Sequence, residues 1–387
     1  MLKQRLVPLA LTLIALVFAP TALQAQPQTP RGTAILTGTV TDAETGDPLA
    51  DANVFIAEST RGTATDADGR FRLENVPLGA QRLYVSVIGY EPQAQNLNLR
   101  EARVHLIDFA LQPTVIEGEG VVVEAERDAK WQRRYERFVR QFIGETPNAQ
   151  QTEIQNPEVL AFDGGVGTLE AEAAEPLVIE NRALGYRIQY FLEDFKTTPT
   201  RTQYDGEPLY EELEGTPAEQ IEWAERRRTA FLGSFHHLLL AMLAGETEAQ
   251  GFRIFSRPSS GNGLAGNSPF GQQRSMSNQR FPIETGDILE AGETDNERTL
   301  DFQGMVEVIF LGETETDAYK TWRAQVSGSG FARSRAPKYQ TSQFWLERGP
   351  ATVDYKGEVV DPYGVTVSGF FAFERVGDQL PKEYRPR

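Results

Sequence analysis

The chain has 387 residues, no cysteine, three histidines and a formal net charge of −17 at pH 7. That length allows two or three domains, each burying its own core. Without a thiol there is no disulfide, thiolate metal site or lipid-bearing cysteine, and so acidic a surface disfavours nucleic acid and anionic lipid as partners.

Lys3 and Arg5 precede an apolar run that is interrupted by Pro8, and small Ala25 follows it. This is the layout of a secretory signal peptide, expected at 1–25, with the exported protein beginning near Gln26. The run falls short of the roughly twenty residues of a spanning helix, and no transmembrane helix is expected later. The expected location is the periplasm, the outer-membrane surface or the cell exterior.

After a linker at 26–33 the apolar pattern takes period two. Leu36, Gly38 and Val40 share one parity, Thr45-Gly46-Asp47-Pro48 turns the chain, and Ala52, Val54 and Ile56 share a parity again. The spacing predicts strand, turn, strand, the first hairpin of a sheet. Asp68-Gly69 suits another tight hairpin, because glycine takes positive φ at no steric cost. Val76-Pro77-Leu78-Gly79 predicts a further turn, and Leu83, Val85 and Val87 a strand ending at Gly89-Tyr90. A last strand over 104–111 changes parity near Ile107, which predicts a bulge. Short strands between Gly, Pro and Asp turns predict an all-β sandwich. Asp66-Ala67-Asp68-Gly69 begins like a calcium loop, but the acidic residues required later in such a loop are missing, so a structural turn is expected.

The series Gly38-x-Val40-x-Asp42, Thr45-Gly46-x-Pro48-Leu49, Ala52-x-Val54, Thr65-Asp66, Gly69-x-Phe71-x-Leu73, Val76-Pro77-x-Gly79 and Gly89-Tyr90 resembles the carboxypeptidase-regulatory-like domain over about 34–113. The resemblance implies a transthyretin-like, seven-stranded Greek-key sandwich that is an accessory module without an active site. It also implies a neighbour, either a metallocarboxypeptidase or the plug of a TonB-dependent outer-membrane receptor. A zinc carboxypeptidase needs two histidines and a glutamate around the ion, with a general base. His105, His236 and His237 are the histidines, no His-x-x-Glu occurs, and no zinc is expected. Glu119-Gly-Val-Val-Val-Glu-Ala125 is similar to the valine-rich segment before a receptor plug, but the chain beyond it is too short for a plug and a large barrel and reads as helical.

A Gly/Glu-rich connector is expected at 114–127 and a second domain at 128–387. Trp131, Tyr135, Phe138 and Phe142 recur at helical spacing, with Asp128 to cap the helix and Gly144 to end it. Arg133, Arg134, Arg137 and Arg140 form its other face, a solvated surface or a basic patch for a partner. Strands are predicted at 177–180 and 186–195, then a polar hairpin around Asp205-Gly206. One long helix is predicted over 216–244, opened by the capping box Thr216-Pro217-Ala218-Glu219. Ile221, Ala224, Phe231, Phe235, Leu238 and Met242 line its packed stripe. At about 100° per residue His237 points opposite and His236 lies at the flank, too divergent to clasp one ion. Residues 257–280 read as a low-complexity loop, flexible or a binding lid. Strands are predicted beyond it at 305–311, 321–326, 343–347, 351–359 and 365–374, with Asp361-Pro362-Tyr363-Gly364 as a hairpin turn. The second part is therefore expected to be α+β, an antiparallel sheet with one long packed helix. Asn156-Pro-Glu-Val-Leu160 and Glu180-Asn-Arg-Ala-Leu-Gly-Tyr186 resemble an uncharacterised region found beside this module in some exported bacterial proteins, which implies no activity.

No Gly-x-Ser-x-Gly elbow or P-loop occurs, and Gly164-Gly165-Val166-Gly167 lacks the dinucleotide spacing. No catalytic, cofactor-binding or metal residue is assigned, and no cofactor is expected. The expectation is an exported, non-enzymatic envelope protein whose second domain binds protein or glycan. The alternatives are a carboxylate-dependent hydrolase of peptide or carbohydrate, or an accessory to a TonB-dependent receptor. Two facing acidic residues in a deep pocket favour the hydrolase, and a shallow apolar or aromatic surface favours binding.

Overall fold

The computed structural model describes residues 32–114, 129–257, 280–294, 296–326 and 339–386. The expected signal peptide, nearly all of the 26–33 linker, the connector beyond Thr114 and the 258–279 stretch of the polar loop lie outside them.

The N-terminal part holds β1 (Thr33–Asp42), β2 (Asn53–Ile56), β3 (Gly62–Ala64), β4 (Arg70–Pro77), β5 (Gly79–Ser86), β6 (Gln93–Leu99), β7 (Val104–Leu106) and β8 (Phe109–Leu111). One four-stranded sheet runs β4-β1-β7 with β8 also on β1, and the other runs β3-β2-β5-β6. β1 buries every second residue, as a strand with one covered face must. Leu36 and Val40 from the first sheet share a core with Val54, Leu83 and Val85 from the second. This is a β-sandwich core.

Two expectations change here. The opening stretch turns back where expected, with Thr41 bridged antiparallel to Pro48, but β1 and β2 do not form a hairpin, because β1 pairs with β4 and β2 pairs with β3 and β5. The chain between Asp42 and Asn53 exceeds the about two to five residues of a hairpin loop, and it carries the backbone from one sheet to the other. Asp68-Gly69 likewise links β3 to β4 across the sheets. Asp66 Oδ1 accepts the N–H groups of Asp68 and Arg70 there. Gly69 has φ +69°, and a Cβ would lie 2.6 Å from the Val40 carbonyl oxygen. The parity change near Ile107 is an interruption between β7 and β8. Leu106 is exposed before it, and Phe109 and Leu111 are buried after it.

The second part is α+β, with its strands in several sheets. Helix α1 (Ala129–Phe142) covers β9 (Thr152–Ile154), β10 (Leu160–Asp163), β11 (Leu169–Ala173), β12 (Leu177–Asn181), β13 (Tyr186–Thr197) and β14 (Thr202–Glu212), which form one six-stranded sheet. Phe138 and Phe142 of α1 meet Phe195 and Tyr190 edge-on. Arg134 and Arg137, expected on a solvated face, donate instead to the carbonyls of Phe162, Gly164 and Gly167, so α1 clasps the β10–β11 turn. The β13–β14 hairpin turns at 198–201, not at Asp205-Gly206. Those two residues lie inside β14, opposite a register shift between Leu192 and Asp194.

The predicted long helix is two helices, α2 (Pro217–Phe231) and α3 (Phe235–Leu243). Gly233 at φ +79° ends the first, and the Ser234 side chain caps the second by accepting the His237 N–H. The capping box at Thr216 and Glu219 is present, but Ile221 is 68% exposed rather than packed. Then come β15 (Phe252–Arg257), β16 (Phe281–Pro282), β17 (Leu289–Ala291), β18 (Glu297–Leu300), β19 (Met305–Phe310), α4 (Asp317–Val326), β20 (Gln340–Leu346), β21 (Ala351–Asp354), β22 (Val365–Gly369) and α5 (Phe370–Phe373). They build a five-stranded sheet, β16-β15-β19-β20-β22, and a three-stranded one, β17-β18-β21, on a core shared with α3.

The strand predicted at 321–326 is α4. Thr316 Oγ1 accepts the Tyr319 N–H at its start, and Tyr319 and Trp322, three apart, stack on one face against Phe373. The strand predicted at 351–359 stops at Asp354, and that at 365–374 stops at Gly369 before α5.

The sandwich abuts the second part closely. Phe55 and Tyr84 pack on Phe191 of β13, with ring centroids 5.0 and 5.4 Å away. Arg82 lies 2.8 Å from Glu207, and Ser59 bridges Leu209 of β14. Tyr355 OH donates to the Leu78 carbonyl, and Lys356 Nζ donates to Gln81 Oε1.

Candidate functional site

A cleft of about 1200 Å³ is lined by the six-stranded sheet, the five-stranded sheet, the ends of α1 and α3, and a corner of the sandwich. Its walls mix aromatic residues with hydroxyl- and amide-bearing ones, and three stretches of it are distinct.

The first stretch joins the β13–β14 tip to β20 and β22. Arg201 lies 3.2 Å from Glu347 and donates to Thr366 Oγ1 at 2.9 Å. Glu347 Oε1 also accepts from Trp345 Nε1 and Thr366 Oγ1. Those donors, Thr366 foremost, hold the Glu347 carboxyl below the usual carboxylate range. Tyr363, from the Asp361-Pro362-Tyr363-Gly364 turn, donates its hydroxyl to Asp194 Oδ2 at 2.7 Å. Trp345, Tyr363 and Arg201 are thus fixed on the cleft wall by groups behind them, which pre-orders the surface a ligand would meet.

The second stretch lies where the sandwich touches the cleft. Glu58, between β2 and β3, and Glu358, after β21, both line it, together with Tyr190 and His236. Burial, and next the negative charge of Glu58, push the Glu358 carboxyl well above its ordinary range. Both side chains stay partly open to solvent, Glu58 at 29% and Glu358 at 35%. Lys382 Nζ lies 3.8 Å from Glu58 Oε2 and supplies it with a counter-charge. His236 Nε2 is 3.8 Å from Glu358 but only 2.7 Å from the Lys356 carbonyl. Burial pulls His236 down to about 4, so its ring is neutral at pH 7, and a neutral ring this close to a carbonyl donates Nε2–H to it.

The third stretch is built from α4, α5 and the chain just beyond α5. Trp322 and Phe373 stand there with Glu374 and Asp378. Burial, and then the charge of Asp378, raise Glu374 well above the ordinary range. Burial pushes Asp378 up to about 6, against the donors Thr146 Oγ1 and Asn148 Nδ2.

The histidines do not converge. His105 lies on β7 in the sandwich, and the two on α3 diverge, but His237 is the inward one, contrary to the single-helix expectation. The break at Gly233 rotates α3, and His237 is 4% exposed among Phe231, Phe252 and Phe310. Its Nδ1 accepts the Gly233 N–H, so it stabilises the helix break. Among the described residues no group of three or more His, Cys, Asp or Glu is placed to hold a metal ion, and no helix is long and apolar enough to cross a membrane.

The residues that shape the cleft do not stand out in the sequence. Glu358 comes just after Lys356-Gly357, an ordinary turn signal, and Glu58 comes just after the apolar run of β2. With 55 acidic residues in the chain, composition cannot say which of them line the cleft.

Comparison with curated proteins finds no match. Among solved structures, a type II cohesin–X-dockerin complex from Acetivibrio cellulolyticus aligns at 17% identity and TM-score 0.17, over 20% of this chain and 52% of that one. This chain therefore spans about half of the length of that structure. A putative carbohydrate binding protein from Bacteroides uniformis aligns at 10% identity and TM-score 0.19, over 47% of this chain and 80% of that one. A putative membrane-associated protein from Bacteroides fragilis aligns at 16% identity and TM-score 0.18, over 42% and 66%. None of these likenesses bears on function. The family models do identify the N-terminal module: residues 36–123 match the CarboxypepD_reg-like domain, and the sandwich is a domain of that family.

Proposed function

We propose that the protein is an exported cell-envelope binding protein and that its cleft holds a stretch of glycan chain. The observation that carries this reading is the wall of the first stretch. There Trp345 and Tyr363 line the cleft together with Thr366, Gln343 and Arg201. A sugar ring presents apolar C–H faces and equatorial hydroxyls, and a surface of fixed aromatic rings among hydroxyl, amide and guanidinium groups matches both.

Titration calorimetry of the purified protein against a panel of soluble oligosaccharides tests it. One series should bind saturably, and Trp345→Ala should weaken that binding at least about tenfold, the loss of one stacked ring and its ordering. An unchanged affinity in the variant, or no saturable binding across the panel, sinks the reading. The envelope location rests on Lys3, Arg5, the apolar run and Ala25. N-terminal sequencing of protein from the envelope fraction should begin near Gln26, and intact Met1 protein recovered from the cytoplasm would refute export.

A further inference from the structure

We propose that the ligand of the cleft is an N-acetylated glycan, whose acetamido groups hydrogen-bond to the open backbone edge of β22. This names the sugar class and rests on the glycan reading.

A strand that turns one face to a cleft contributes every second residue to it, because successive side chains point to opposite sides. β20 does so: Thr341, Gln343 and Trp345 line the cleft, while Ser342 and Phe344 between them are buried. β22 behaves differently. All five of its residues, Val365–Gly369, line the cleft, and all are half-buried. Unbroken lining of this kind is what a strand presents along its edge. Residues 202–206 of β14 line the cleft in the same way. The pairing agrees, since among the described residues β22 pairs with β20 alone and 202–206 pair with β13 alone.

The two edges are not equally open. In β14 the Asp205 carboxylate accepts the Gly206 N–H, and β4, an edge strand of the sandwich, carries Arg70, Arg72, Glu74 and Pro77. Charge, proline and bulges are the usual guards of an edge. β22 has neither charge nor proline, and its register against β20 runs without a shift. In an antiparallel pair every second residue of the outer strand turns its N–H and C=O away from its neighbour, so β22 holds out about two or three such residues. Arg201 donates to Thr366 Oγ1 and braces the strand against the β13–β14 tip, which fixes the edge before a ligand arrives.

The occupant follows from what stands beside that edge. Trp345 of β20 is the register partner of Thr366 of β22. The aromatic residue that the glycan reading assigns to a sugar therefore lies one strand, about 4.8 Å, from β22. The equatorial groups of a sugar seated there reach sideways over β22. A hydroxyl brings a single O–H to the edge. An acetamido group brings an N–H and a C=O in the planar trans arrangement of a peptide bond, the same pair of groups through which a strand edge takes on a new strand. An N-acetylated glycan thus has a partner for the ring and a partner for the edge at once.

The test sets a hexasaccharide of β-1,4-linked N-acetylglucosamine against one of β-1,4-linked glucose, which differ only in the group at C2. Calorimetry on the full chain reads affinity, and hydrogen exchange reads the backbone amides of β22. The N-acetylated series should bind at least about tenfold more tightly, the effect of one or two added hydrogen bonds, and should slow exchange within 365–369. Equal affinity, or a preference for the glucose series, overturns the inference and leaves the glycan reading standing. Selective binding without slower exchange at 365–369 does the same. If neither series binds, the inference falls, and the glycan reading falls with it only when every other oligosaccharide also fails. A peptide of alternating valine and threonine that protects 365–369 while no sugar binds overturns both and gives the edge to polypeptide.

Discussion

Replacing Lys356 by methionine should abolish most of the rise in stability that the protein shows between pH 7 and about 10. Lys356 is 9% exposed, and its ammonium donates to a neutral acceptor, Gln81 Oε1 on β5, at 2.6 Å. Burial pulls this lysine down to about 7 from 10.5, and the like charge of Lys382 adds to the effect, while Asp354, Glu58 and Glu383 oppose it. Between those two values the unfolded chain carries the proton and the folded chain does not. Stability therefore rises with pH across the window, and below pH 7 the full penalty is present and constant. Each unit is about 1.4 kcal/mol, so the whole window is worth on the order of a few kcal/mol. Methionine keeps the apolar stem and discards the charge, at the cost of the donor to Gln81. Other lysines and tyrosines titrate in the same range, so the decisive quantity is the difference between the two proteins. Urea midpoints at pH 7 and 9.5 should diverge less in Lys356→Met than in the parent. Equal divergence would show that Lys356 keeps its proton in the folded chain.

Lys356 also illustrates what a sequence conceals. Strand positions in the sandwich were legible because β1 and β4 bury alternate residues, and alternation is a property of each strand alone. Pairing was not legible, since parity does not say which strand lies alongside, and so the crossover from β1 to β2 reads as a hairpin. The helix break at Gly233-Ser234 was masked because apolar residues continue on both sides at helical spacing. Its cap is a single serine, and its consequence is the inward turn of His237. At α4 the spacing of Tyr319 and Trp322 is helical, but Thr321 beside Trp322 mimics a strand. The site suffered most. Glu58 and Glu358 stand three hundred residues apart, and each is unremarkable among its neighbours. Only the docking of the sandwich on the second part brings Glu58 to the cleft that Glu358 lines.

That docking can be tested by removing its central ring. Phe191→Ala should cost about 3–5 kcal/mol, the usual loss for a buried phenylalanine, and should uncouple the sandwich from the rest. Phe55 and Tyr84, 0% and 2% exposed, belong to the sandwich but pack on Phe191, with Leu209 closing the cluster. Neither ring faces the sandwich's own core, which Leu36, Val54 and Leu83 fill. We propose that residues 34–113 fold alone. Expressed alone they should unfold cooperatively, with a margin of only a few kcal/mol for roughly eighty residues without a disulfide. That margin should be smaller than in the intact chain, because the fragment leaves Phe55 and Tyr84 in water. Calorimetry of intact Phe191→Ala should then show the sandwich melting as a separate, earlier transition near that of the isolated fragment. A fragment with no cooperative unfolding would mean that the aromatic cluster belongs to one core spanning both parts. A variant that loses under about 1 kcal/mol and still melts in a single step would mean that Arg82–Glu207 and the Lys356 contact, not the rings, hold the sandwich in place.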